Sequence, residues 1–322
     1  MQRVQVTPRS FPKNLIDKDW SKRKITHKNV NIPEFLDVIH DMEIREDDVW
    51  VVTLPKSGTT WMQELLWLLL NNCDFEGALS THQELRSPFL EFNFYINEDI
   101  EDSLKPVQEL QSPRLIKSHL ALPLLPSKLW LGTNKVIYVF RNPLDAWVSL
   151  YYHGVTTGPN YGKTLEQYFD EQVSSQEYVT EIIEHAYEFY QLRKEPWIFY
   201  TSFERMKKDL QGVINDVSKF LNKPVSEEQM ERLLKHLSFE EMKKNPTTNH
   251  LWERAHKAHT THKNAGKEKH NFVRRGKVNG YKDELKPEQI EKVNVWIEKS
   301  LKENSITMEE LLLLNESYKN TL

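Results

Sequence analysis

The chain has 322 residues, 39 % of them hydrophobic, a formal net charge of −4 and a single cysteine, Cys73. That length allows a sizeable core, the net charge argues against a polycation that gathers nucleic acid, and a lone thiol cannot close an internal disulfide, which fits a reducing, cytoplasmic setting. The opening stretch MQRVQVTPRSFPKN has no apolar core and the run LLWLLL is too short to span a bilayer, so neither a secretory signal nor a membrane segment is expected.

Residues 1 to about 45 are polar and interrupted by proline, and read as a segment laid over the surface. Short β-rich runs then alternate with helical patterns. VWVVT (49–53) leads into periodic residues at 60–71. RLIKS (114–118) and KVIYVF (135–140) follow, the second feeding a helical pattern at 143–152. Another pattern at 178–193 precedes WIFYT (197–201), and one at 208–221 follows it. Beyond 225 the chain reads as helical, broken by a basic segment at 250–282. Apolar β runs alternating with helices predict one α/β domain over 1–322, its parallel sheet covered on both faces. Right-handed crossovers would set the post-strand loops along the carboxyl edge, where ligands bind in such sheets.

The turn Pro55-Lys56-Ser57-Gly58-Thr59-Thr60 joins the first run to the first helix. Free N–H groups at a helix start carry partial positive charge, and a small-residue turn lets them approach an anion. Gly58 permits that approach, Thr59 and Thr60 add hydroxyls, and Lys56 adds a formal charge. The plainer reading is that Thr59 or Thr60 caps the helix. The Walker pattern does not fit, because here the lysine precedes the glycine, and no Lys-Ser/Thr pair is present to hold Mg²⁺.

TLPKSGTTW (53–61) resembles the phosphosulfate-binding, P-loop-like loop of the cytosolic sulfotransferases. RLIKSHL (114–120), YVFRNPLDAWVSLYYH (138–153), SFEEMKKNPTTN (238–249) and FVRRGKVNGYK (272–282) resemble further segments of that family, in family order and over nearly the whole chain. The resemblance implies transfer of a sulfuryl group from 3′-phosphoadenosine 5′-phosphosulfate (PAPS), leaving PAP, to a hydroxyl or amine and without a metal. It makes His119 the general base, with Lys117 and Lys56 neutralising the transferring group. Lys56, Ser57, Gly58, Thr59, Thr60 and Trp61 become the phosphosulfate loop, and Arg141 and Ser149 readers of the 3′-phosphate. Phe203, Ser238, Phe239 and Met242, with Arg274, Arg275 and Gly276, complete the donor site, and 250–282 closes over it. An Arg141–Asp145 ion pair at i,i+4 is the plain alternative for Arg141.

Three positions depart from the family pattern: Phe203 stands for a tyrosine, Leu237 for a threonine and Tyr281 for a tryptophan. The family's dimerisation segment appears as KDELKPEQIE (282–291), with Lys286 and Pro287 in place of its central Thr-Val, so a monomer or weak homodimer is expected. Residues 250–277 carry eight Lys/Arg against two acids, which suits an anionic donor; sparse aromatic interleaving argues against nucleic acid. His256, His259 and His262 invite a metal reading, but no Cys cluster or H-E-x-x-H accompanies them, and no metal is expected. Phe89, Phe92, Phe94, Tyr151 and Trp252 could wall an apolar acceptor such as a phenol or sterol, or could be plain core. Two rivals stand beside this reading. A nucleotide phosphotransferase would need Mg²⁺. A non-catalytic phosphonucleotide-binding protein would have no use for a base at His119.

Overall fold

A computed structural model describes residues 4–6, 11–20, 23, 25–27, 32–92, 100–172, 176–249 and 270–314. After a short antiparallel ribbon of β1 (Val4–Val6) and β2 (Ile25–His27), the chain builds a four-stranded parallel sheet. Its strands are β3 (Val49–Thr53), β4 (Leu115–Ser118), β5 (Lys135–Phe140) and β6 (Ile198–Ser202), in the order β4-β3-β5-β6. The four apolar runs predicted from sequence are these strands, displaced by at most one residue.

The strands are apolar throughout because both faces are covered. Side chains alternate by the pleat. Trp50, Val52, Ile116, Val136, Tyr138 and Ile198 join one core. Val49, Val51, Leu115, Ile137, Val139 and Phe199 join the other. The first core includes residues of the helices Pro143–Thr157, Gln176–Gln191 and Pro287–Glu303. The second includes residues of Thr59–Leu70, Leu210–Phe220 and Glu227–His236. Register pairs Val49 with Leu115 on one side and Lys135 on the other, so β3 lies between strands that follow it in opposite directions. That is a topological switch point, and a crevice forms beyond the carboxyl ends there. The loops that leave β3, β4 and β5 carry Lys56, His119 and Arg141, and Phe203 opens the helix Phe203–Lys208 directly after β6.

The N-terminal stretch is less superficial than its polarity predicts. Phe11, Ile16, Trp20, Phe35, Leu36, Ile39 and Met42 are buried in the first core, because widely spaced apolar anchors can dock a polar segment. In the altered segment 282–291, Pro287 is the first residue of the helix Pro287–Glu303, and Lys286 Nζ meets Glu166 Oε1 at 2.7 Å. Among the described residues no helix is long and apolar enough to cross a membrane.

Candidate active site

The helix Thr59–Leu70 opens on Gly58, in the left-handed region at φ 101°, and no side chain caps it. Thr59 therefore does not act as the cap; its Oγ1 meets Thr53 Oγ1 at 2.5 Å. The uncapped start keeps its partial positive charge. Gly58, Thr59, Thr60 and Trp61 line a cavity of about 850 Å³ at the sheet's carboxyl edge. A Cβ at Gly58 would stand 3.1 Å from Phe203 Cδ2, so both dihedral and space favour glycine. Ser57 is fully buried and its Oγ has no hydrogen-bond partner in the protein.

His119 follows β4 directly. Its Nδ1–H donates to the Thr53 carbonyl at 2.7 Å, which leaves Nε2 as the unprotonated nitrogen. Thr53 Oγ1 is also 3.2 Å from Nδ1. Burial, then the charge of Lys117, hold the imidazole well below its usual range, so it is neutral at physiological pH. A neutral imidazole with one nitrogen pinned and the other available is a proton acceptor in waiting.

Three cations converge on the same cavity. Lys56 is pushed down to about 7 by burial and by Lys117, Arg141 and Arg274. Its Nζ lies 3.5 Å from the Phe272 ring centroid. Lys117 is lowered by burial and stands over Phe89 at 4.3 Å. Arg141 donates to the carbonyls of Lys56 at 3.0 Å and Lys277 at 3.3 Å, and its buried Nε has no partner. The alternative i,i+4 ion pair is not what Asp145 makes. Its oxygens accept the backbone N–H groups of Asn279 at 2.7 Å and Tyr281 at 3.0 Å. Like charges held together, beside an uncapped helix and an orphaned hydroxyl, fit a multiply charged anion.

The other basic set reaches the cavity from the C-terminal side. Ser149, Arg274, Arg275 and Gly276 all line it, as do Phe203, Phe239 and Met242. Gly276, at φ 56°, lets the backbone pass Phe239, whose Cδ2 would be 2.6 Å from a Cβ. Here the arginines are paired. Glu284 accepts from Arg274 at 2.9 Å and Arg275 at 2.6 Å, and Asp283 accepts from Arg275 and Lys277. Ser238 does not line the cavity. Its hydroxyl caps the helix Phe239–Lys244 by accepting from Glu241 N–H at 3.3 Å. Phe203 stacks under Arg141 at 4.2 Å, and the Leu237 carbonyl accepts Trp61 Nε1–H at 2.9 Å, so two departures from the family pattern still shape this wall.

The opposite end is more apolar. Phe89, Phe92, Leu124, Val148 and Ile182 line it, together with Arg23 and His185. His185 Nε2–H donates to the Leu120 carbonyl at 3.1 Å while Nδ1 accepts from Tyr138 at 2.8 Å; burial pushes its pKa down to about 3. Tyr151 does not reach this wall. On the helix Pro143–Thr157 the cavity face runs through Val148, Ser149 and His153, and Tyr151 donates instead to the Lys163 carbonyl at 2.8 Å. Trp252, Phe94, His256, His259 and His262 lie outside the described residues. Among the described residues no group of three or more His, Cys, Asp or Glu could hold a metal ion.

Sequence reasoning missed several contributors: Thr53, Phe272, Asp145, Glu284, Arg23 and, above all, Glu91. Glu91 is 1 % exposed and accepts the His119 backbone N–H. Its signal is an acid in an apolar frame, PFLEF, where solvation is not available.

An uncapped phosphate-type turn, a pinned neutral histidine and two basic sets on one parallel-sheet edge define a transferase that handles an anionic group. The family model of the sulfotransferase domain matches residues 46–305, and the chain belongs to the sulfotransferase family. Luciferin sulfotransferase of Photinus pyralis is 34 % identical over 315 residues, 92 % of this chain and 83 % of that protein. Sulfotransferase 1E1 of Homo sapiens is 32 % identical over 219 residues, 67 % of this chain and 73 % of that protein. Among solved structures, retinol dehydratase in complex with retinol and PAP superposes with a TM-score of 0.72 at 28 % identity, covering 85 % of this chain and 88 % of that one.

Proposed function

We propose that this sulfotransferase takes its sulfuryl group from PAPS, releases PAP, and transfers the group to a hydroxyl or amine of a small, largely apolar acceptor. The observation that carries the reading is the grouping of Lys56, Lys117 and neutral His119 at the start of the uncapped helix. His119 Nε2 accepts the acceptor proton as the acceptor oxygen bonds to sulfur. Lys56 offsets the charge that grows on the bridging oxygen as the S–O bond breaks, and Lys117 offsets charge on the transferring group. As in phosphoryl transfer, positioning and charge neutralisation supply most of the rate. Arg141, Ser149, Arg274, Arg275 and Gly276 hold the 3′-phosphate end, with Trp61, Phe203, Phe239 and Met242 around the base. Phe89 and Phe92 wall the acceptor. The PAP complex of a relative at 28 % identity supports this donor.

The test is transfer of radiolabelled sulfate from PAPS to a panel of phenols, sterols, amines and retinoids, with and without chelator. Transfer should survive EDTA, and loss on chelation would favour a metal-dependent phosphotransferase. His119→Ala should lower transfer by ~10²–10⁴-fold, the usual worth of a general base. Binding of PAP should change little. A folded variant that keeps most of its turnover would remove His119 from the role.

A further inference from the structure

Glu91 lies in the short stretch that walls the acceptor end, yet it is 1 % exposed. Its Oε1 accepts two hydrogen bonds, one from the His119 backbone N–H and one from Ser118 Oγ at 3.3 Å. Ser118 Oγ in turn accepts Leu120 N–H at 3.1 Å. Oε2 is buried with no hydrogen-bond partner. A carboxylate that leaves one oxygen unmet costs more than the amide that could replace it. As a purely structural device it is therefore a poor choice.

The stretch around it is tied to the catalytic edge. Lys117 N–H donates to Pro88 O at 3.0 Å, and Leu90 N–H donates to Lys117 O at 2.9 Å. Phe89 meets the His119 ring at 4.9 Å. The imidazole is thus held from two sides: its ring by Thr53 on β3, its backbone by Glu91.

We propose that Glu91 is a positioning residue for the transfer reaction: its carboxylate fixes the backbone that carries His119, and its negative charge favours the imidazolium formed when the acceptor proton arrives. The inference rests on the reading of His119 as the base. The charged group that bears on Glu91 is Lys117, from the end of β4, while His119 meets it through its backbone N–H. Glu84 and Glu91 act on Lys117, and Lys117, His185 and Lys56 act on the His119 ring.

This role has a pH signature. Burial holds the Glu91 carboxyl up at about 7, so its charge is complete only above neutrality. His119 does not titrate there, being well below its usual range. Lys56 is also held at about 7, but a bound anionic donor raises it again and so removes it from the profile at saturation. With an aliphatic alcohol acceptor, which does not ionise in this range, the single-turnover rate should rise with pH through a limb near 7.

Glu91→Gln keeps an acceptor oxygen for His119 N–H and Ser118 but abolishes the charge. The limb should vanish, and at about pH 8 the rate should fall roughly tenfold or more, to the level of the acid plateau. Acceptor KM should stay within about twofold, since only the transition state gains the charge. Glu91→Asp, which keeps the charge, should restore a limb. A Glu91→Gln protein that retains both the limb and the wild-type rate would overturn the proposal. So would a flat wild-type profile, which needs no variant to fold. Failure of the base reading would show separately, as turnover retained in His119→Ala whatever Glu91→Gln does.

Discussion

The two ends of the cavity hold their cations in opposite states. Near the first turn, Lys56 faces Phe272, Lys117 faces Phe89, and Arg141 sits over Phe203 while donating to carbonyls. Among the described residues none of the three forms an ion pair. In the C-terminal strap, residues 274–284, Arg274, Arg275 and Lys277 are each closed by Glu284 or Asp283. Aromatic faces and carbonyls steady a cation without cancelling it, whereas a carboxylate cancels it. The first end therefore keeps positive potential uncancelled, which on the proposed mechanism would meet charge that appears during reaction. The second end presents donors already held by resident acids, which on the proposed donor site an incoming phosphate would have to displace.

The sharpest way to break this comparison is to delete one donor end at a time. A charge-assisted hydrogen bond contributes about 1.5–3 kcal/mol, or roughly 10–150-fold in affinity. Wild-type protein should lose affinity of that order when a 3′,5′-bisphosphate nucleoside is replaced by its 5′-monophosphate. Arg141→Ala should lose less on the same change, while Lys56→Ala should lose the full amount because its proposed partner is the 5′ group, which both ligands keep. This cycle between protein and ligand isolates the pairwise term, and calorimetry reads it. Equal losses in wild type and Arg141→Ala would take Arg141 away from the 3′-phosphate.

A second measurement separates the ends by pH. Lys56, lowered to about 7, must be protonated to meet an anion, and the bound anion raises its pKa again. Donor affinity should be flat on the acid side of about 7 and weaken by up to about tenfold per pH unit above it. The sign follows from proton uptake on binding. Lys56→Arg keeps its charge over the whole range and should flatten the slope. An unchanged slope in Lys56→Arg would assign the titration to another group.

Much of the scaffold is legible in the sequence because its signals are local. The four strands are continuous apolar runs, since a sheet covered on both faces has no polar side to show. The turn at 55–60 stands out as the joint between a strand and a helix in 22 residues of VWVVTLPKSGTTWMQELLWLLL. What stays hidden depends on partners distant in the chain. Asp145 looks like a partner for Arg141 one helical turn away, but it binds Asn279, 134 residues on. Glu284 looks like a surface charge until Arg274 and Tyr152 fold onto it, at 2.9 and 2.7 Å. Tyr151 misses the cavity because helical phase, not composition, decides which face of its helix meets it. Phe11, Ile16 and Trp20 escape notice because single apolar anchors in a polar stretch have no period.

The smallest expected effect tests the strap itself. Glu284 accepts from Arg274, Arg275 and the Tyr152 hydroxyl, and these donors with the arginine charges hold its carboxyl below the usual range. It is therefore anionic at neutral pH, and on the proposed donor site it would compete with the 3′-phosphate for the same guanidinium groups. Glu284→Gln removes that charge but leaves an oxygen to accept from Tyr152 and one arginine. Affinity for a 3′,5′-bisphosphate should rise by roughly threefold to tenfold, the upper scale of a solvent-reachable charge pair, and affinity for the 5′-monophosphate should not change. Asp283→Asn, at a more exposed acid, should do less because solvent already screens it. If release of PAP limits turnover, Glu284→Gln should also turn over more slowly at saturating donor. Weaker bisphosphate binding in Glu284→Gln would invert the interpretation: the glutamate would then hold the two arginines in place for the phosphate rather than contest it.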